Sequence, residues 1–97
     1  MVLDSWAAVP PLLTARSLLG AVGVGGDVYA VGGIADGSAL AAVERFRDGA
    51  WEELPPLATA RGGLGLCELA GELYAVGGFN GEMLGSVERS NRGFAIK

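Results

Sequence analysis

Shifted along itself by about 45 residues, this sequence repeats, and that constrains its fold more than any other feature. Trp6 falls on Trp51, Pro10-Pro11-Leu12 on Pro55-Pro56-Leu57, and Thr14-Ala15-Arg16 on Thr59-Ala60-Arg61. Tyr29-Ala30-Val31-Gly32-Gly33 falls on Tyr74-Ala75-Val76-Gly77-Gly78; after a one-residue deletion, Val43-Glu44-Arg45 meets Val87-Glu88-Arg89. A period of this length marks a repeat architecture in which one supersecondary unit recurs.

Each unit divides into four segments with strand character, separated by Gly, Pro, Asn and Asp clusters. In order, segment A covers 17–24 and again 62–69, and segment B covers 27–31 and 72–76. Segment C covers 40–46 and 84–90, and segment D covers 51–54 with an earlier copy at 6–9. Gly25-Gly26 and Ala70-Gly71 between A and B are short enough for two-residue hairpins, so consecutive strands pair antiparallel. Segments A and B are almost continuously apolar, which predicts strands covered on both faces. A single four-stranded sheet meets that condition only between neighbouring sheets, the geometry of stacked propeller blades.

Trp-x-x-Leu-Pro-Pro, Ala-Arg, Leu-Tyr-Ala-Val-Gly-Gly and Val-Glu-Arg, mostly present twice at matching spacing, resemble the Kelch repeat across essentially the whole chain. The resemblance implies an all-β fold of two four-stranded antiparallel blades, a partial β-propeller. Residues 1–11 then form an outer strand of a preceding or shared blade, 12–56 the first repeat, and 57–97 a second whose last strand is incomplete. That strand is degenerate, with Phe94 a weak substitute for its tryptophan, or is supplied by the N-terminal strand of a blade partner. Gly32, Gly33, Gly77 and Gly78 are expected where a buried strand turns sharply and passes close to a neighbour. Trp6, Trp51, Tyr29 and Tyr74 are expected to fill the space between sheets, with a polar tip reaching a backbone acceptor. Glu44, Arg45, Glu88 and Arg89 complete the recurring structural set.

Kelch propellers usually close from four to eight blades. Two repeats do not close a ring, so the expectation is either a piece of a longer propeller or a unit completed by copies of itself, roughly three for a six-bladed ring.

An A-B-C-D meander puts the D-to-A crossings and the B-to-C loops on one rim. The candidate partner-binding residues there are Arg16, Ser17 and Arg61 at the openings of the inner strands, Asp36 and Ser38 in one loop, and Phe79, Asn80, Glu82 and Met83 in the other. In substrate receptors that resemble this chain, arginine at the position of Arg16 and Arg61 lines a pocket for acidic peptide segments, which suits a guanidinium fork. The alternative is that both arginines pair with Glu44 or Glu88. Phe79 and Met83 are either exposed loop hydrophobes or lids over the core, and Asp36-Gly37 and Asn80-Gly81 read as turn formers.

Composition narrows the function classes. A formal charge of −4 argues against nucleic acid, and no apolar run approaches the roughly 20 residues that span a bilayer. Without histidine, the commonest general base and metal ligand is missing. No enzyme, metal site or cofactor is therefore expected, although some Kelch propellers belong to oxidases or sugar isomerases. Cys67 is the single cysteine, is expected as a small buried hydrophobe, and favours a reducing, cytoplasmic setting. The N-terminus does not read as a secretory signal. The expected function is a protein-interaction module, a scaffold or substrate adaptor presenting peptides or proteins to machinery such as a ubiquitin ligase. The alternatives are an enzyme fragment and a self-assembling repeat unit.

Overall fold

A computed structural model describes residues 4–91, and within them the chain is all β. Strands β1 (Gly20–Val24), β2 (Asp27–Val31), β5 (Val43–Arg47) and β6 (Ala50–Leu54) form one antiparallel sheet in the order β1-β2-β5-β6. Between β2 and β5 a small hairpin, β3 (Ile34–Ala35) and β4 (Ser38–Ala39), projects from the end of the sheet. Strands β7 (Gly65–Leu69), β8 (Glu72–Val76) and β9 (Val87–Arg89) repeat β1, β2 and β5 in a second sheet. The four-stranded expectation is met for the first sheet; the described part of the second has three strands. Phe94, the expected substitute in the last outer strand, lies outside the described residues.

Turn chemistry sets the register. Gly25-Gly26 (φ 60° and 89°), Asp48-Gly49 (53° and 82°) and Ala70-Gly71 (53° and 83°) each hold two successive positive φ values, as a tight hairpin turn requires. Val22 therefore sits opposite Tyr29 and Cys67 opposite Tyr74. Because side chains alternate across a sheet, one face of the first sheet carries Val22, Val24, Tyr29, Val31 and Val43. It packs on Leu66, Leu73 and Ala75 of the second sheet, with Leu57 and Leu64 of the intervening crossing filling the edge. Burying a side chain of this size contributes about 1.5–3 kcal/mol. The sheets approach so closely at β1 that a Cβ on Gly20 would lie 2.8 Å from that of Leu66.

Four expectations change. The inner strands begin three residues late, at Gly20 and Gly65, because Leu18 (φ 53°) and Gly63 (φ 63°) leave extended backbone first. Segment C likewise starts late, since Gly32 N–H donates to Ala42 O, Leu40 N–H to Gly33 O and Leu57 N–H to Ala41 O, ahead of the ladder. Residues 6–9 form no strand, and Trp6, expected between sheets, is fully exposed. Pro10, just after that stretch, is tied to β6, its carbonyl accepting from Trp51 Nε1 at 2.8 Å. Finally, Cys67 is exposed rather than buried. It takes the position of Val22, on the face of the second sheet that points away from the first. Leu69, Val76 and Val87 share that face and are exposed too, and Ala21, Gly23 and Val28 are exposed on the outer face of the first sheet, so coverage of both faces holds at Ala30 of β2 and fails along β1, β7 and β8.

Candidate functional site

The crossing between the sheets, residues 55–64, is threaded between the two B-to-C connections. Gly33 N–H donates to Arg61 O and Arg61 N–H to Leu40 O on one side. On the other, Gly62 and Phe79 exchange both backbone hydrogen bonds at 2.9 Å. Gly63 N–H donates to Leu18 O, while Ser17 and Ile34 exchange a similar pair. The expected rim is thus one hydrogen-bonded surface built from both repeats. Its closeness explains the glycines: a Cβ on Gly32 would collide with Arg61 O, and one on Gly78 would lie 2.8 Å from Gly62 O. Gly32 and Gly77 also share a φ of 65°.

Arg16 and Arg61 take the pairing alternative. Arg16 Nη2 lies 2.5 Å from Glu44 Oε2, and Arg61 Nη2 lies 2.9 Å from Glu88 Oε2. Each guanidinium also donates to three carbonyls, those of Thr14, Gly32 and Ala42 for Arg16 and of Thr59, Gly77 and Ser86 for Arg61. Each glutamate accepts two backbone N–H groups of the crossing before it, Leu13 and Thr14 at Glu44, Ala58 and Thr59 at Glu88. Both guanidinia are fully buried. A charge buried this deeply requires its partner, so the geometry makes each pair a clamp that ties a D-to-A crossing to strand C. Burial opposes the charge of Glu88, but the Ala58 and Thr59 N–H groups and Arg61 outweigh it and hold its pKa below the usual carboxylate value.

The other recurring residues are structural as well. Tyr29 is buried and Tyr74, on the open face, is half-buried. Arg45 pairs with Glu52 at 2.7 Å. Burial would lower its pKa, yet hydrogen bonds to Glu52 and Tyr29 raise it. Arg89 reaches Glu72 at 3.6 Å. Trp51 packs on Phe46 with ring centroids 5.2 Å apart and ring planes tilted by 47°, while Glu44 and Glu88 are the acids of the two clamps.

The remaining rim candidates do reach solvent. Asp36 and Gly37, with φ of 51° and 78°, make the tight tip of the β3–β4 hairpin, and Ser38 follows it exposed. In the second loop Phe79 is 50 % and Met83 88 % exposed, bridged to each other across a turn in which Asn80 N–H donates to Glu82 O. Asn80 and Glu82 are exposed, as is Ser17. Leu18 was not a candidate, yet it stands 62 % exposed beside this loop with a left-handed φ of 53°. Its alignment with Gly63 was the available signal.

The family model described as the Kelch motif matches residues 15–58, which run from the approach to Arg16 through the whole first sheet to the start of the next crossing. No curated protein matches the chain. The second sheet repeats the first in register, in its glycine cradle and in its arginine–glutamate clamp. With one copy matched by the family model and the other built in the same way, the chain carries a Kelch motif over residues 15–58 and is consistent with a Kelch-repeat protein.

Proposed function

We propose that this chain is a non-catalytic protein-interaction module whose rim, formed by the β3–β4 hairpin and residues 79–83, binds peptides or proteins. The observation that carries the reading is the exposure of Phe79 and Met83 on loops whose bases are fixed by the crossing. Large exposed side chains on a rigid frame mark recognition surfaces more often than core defects do. The test is a selection of displayed random peptides on the immobilised chain. Binding that disappears in Phe79→Ala/Met83→Ala, and persists in Glu53→Ala on the outer strand, supports the rim; binding indifferent to both rim changes overturns it.

A second reading concerns what surrounds the module. The face bearing Cys67, Leu69, Tyr74, Val76 and Val87 repeats the face of the first sheet that the second sheet covers. An apolar face of this kind favours a further blade, from a longer chain or from another copy. Light scattering across a concentration series tests self-association, and a stable, cooperatively unfolding monomer at all concentrations counts against copies. We further propose a cytoplasmic setting, supported by the single cysteine. In its narrowest form the rim serves as a substrate adaptor for a ubiquitin ligase, a role supported by the family resemblance. Co-purification of ligase subunits with the chain is its test. No helix among the described residues is long and apolar enough to cross a membrane.

A further inference from the structure

The rim's charge is the reverse of what its arginines suggest. Among the described residues, the ionisable side chains of the two clamps and the two loops on this side are Arg16, Glu44, Arg61, Glu88, Asp36 and Glu82. Both guanidinia are withdrawn completely, with no exposed side-chain area, and each is neutralised by a glutamate within the fold. Asp36 and Glu82, at the tips of the two loops, are exposed. Among the described residues of the two loops, a partner therefore meets the carboxylates of Asp36 and Glu82 and no exposed cation.

Between those carboxylates lies apolar surface. Leu18, 62 % exposed, is hydrogen-bonded through its carbonyl to Gly63, and Phe79 is bonded to the adjoining Gly62. Met83 pairs with Phe79 from the far side. Backbone contacts thus hold Leu18, Phe79 and Met83 in a short row. A leucine with positive φ is strained, and strain retained on an exposed rim points to a side chain held out for contact.

We propose that the rim selects segments in which an apolar anchor is flanked by lysine or arginine, and disfavours acidic segments. The anchor would pack on Leu18, Phe79 and Met83 while the flanking cations face Asp36 and Glu82. Potentials of opposite sign steer association and reject like-charged competitors, and the formal charge of −4 acts in the same direction at long range. This inference rests on the rim being the binding surface.

The test uses two fluorescein-labelled decapeptide pools, each with a central Phe or Leu, flanked by lysine in one and by glutamate in the other. Fluorescence anisotropy against the whole chain should show the lysine pool bound at least tenfold more tightly in 50 mM NaCl, with the gap narrowing in 500 mM. Asp36→Asn/Glu82→Gln should cut that preference about three- to tenfold, because each exposed pair contributes modestly. Asn tolerates the left-handed φ at position 36, so the hairpin is preserved. Phe79→Ala/Met83→Ala, checked by its unfolding curve, should abolish binding of either pool. A preference for the glutamate pool, or a lysine preference unchanged by neutralising Asp36 and Glu82, overturns the charge argument while leaving the rim reading intact if binding still needs Phe79 and Met83. Binding of neither pool, or binding indifferent to Phe79 and Met83, overturns both.

Discussion

Arg16 and Glu44 meet at 2.5 Å with both side chains fully buried, and one repeat later Arg61 and Glu88 meet at 2.9 Å with the glutamate 22 % exposed. The two clamps do the same work in different amounts of water. Removing one partner from a buried pair strands the other charge, at about 3–5 kcal/mol when burial is complete. Glu44→Gln is therefore expected to destabilise the chain by about 3 kcal/mol or more, and Glu88→Gln by about 1 kcal/mol less, because water reaches its oxygens. Urea unfolding of both variants measures the order, and equal losses would show that exposure does not set the cost.

Acid should act through the same site. Glu88 has its folded pKa held below the usual carboxylate value by the Ala58 and Thr59 N–H groups and Arg61. Its stabilising contribution is thus present above the unfolded value, about 4.3, and is lost as pH falls through the folded value. Asp27, lowered by its hydrogen bond to Arg47, adds in the same direction. Urea midpoints should change little from about pH 7 to 5 on account of these groups and fall below about pH 4.5. Glu88→Gln should flatten part of that fall; a parent-like acid slope in the variant would show that Glu88 is not one of the responsible groups.

The second hairpin turn carries a correctable strain. Ala70 holds φ of 53° where the first repeat uses Gly25 at 60°. Left-handed backbone costs a residue with a Cβ about 1–2 kcal/mol, partly offset by the entropy glycine loses on folding. Ala70→Gly should stabilise the chain by about 0.5–1 kcal/mol, read as a rise in melting temperature. A lower melting temperature would contradict the turn geometry.

Trp6 and Trp51 are equivalent by repeat and unequal in structure. Trp51 packs on Phe46 and donates to Pro10 O, whereas Trp6 is fully exposed. Trp51→Ala should cost about 2–3 kcal/mol, and Trp51→Phe about 1 kcal/mol for the lost hydrogen bond. Trp6→Ala should stay within about 0.5 kcal/mol. Comparable losses at both positions would mean that residues 6–9 pack in solution.

Cys67 reports on the open face. Alkylation by iodoacetamide, followed by mass spectrometry, should proceed in the dilute native chain within about tenfold of the unfolded rate, because the thiol is accessible. Protection that grows with protein concentration would place another blade on the Tyr74 face. Protection already complete at the lowest concentration would contradict the exposed position.

Much of this was legible from the repeat. Segment B coincides residue for residue with β2 and β8, because Gly-Gly or Ala-Gly before it and Gly-Gly after it punctuate the strand at both ends. Strand order, hairpin turns and the close-packed glycines follow from the same spacing. The entry of segment A is not legible in the sequence, because Leu18 carries no signal for positive φ except its alignment with Gly63. Trp6 and Cys67 were misplaced for a related reason: periodicity tells which face a side chain takes, but burial depends on whether another sheet covers that face.

The sequence by itself determined the unit, its strands and turns, and which glycines had to be glycine, since these depend on local φ preferences and on a pattern visible along the chain. Only the tertiary structure decided what Arg16 and Arg61 do. A guanidinium fork suits a partner's carboxylate and an internal one equally well, and the choice rested on whether Glu44 and Glu88, 28 and 27 residues away, folded back within reach. They do, and the charge left at the rim is carried by Asp36 and Glu82.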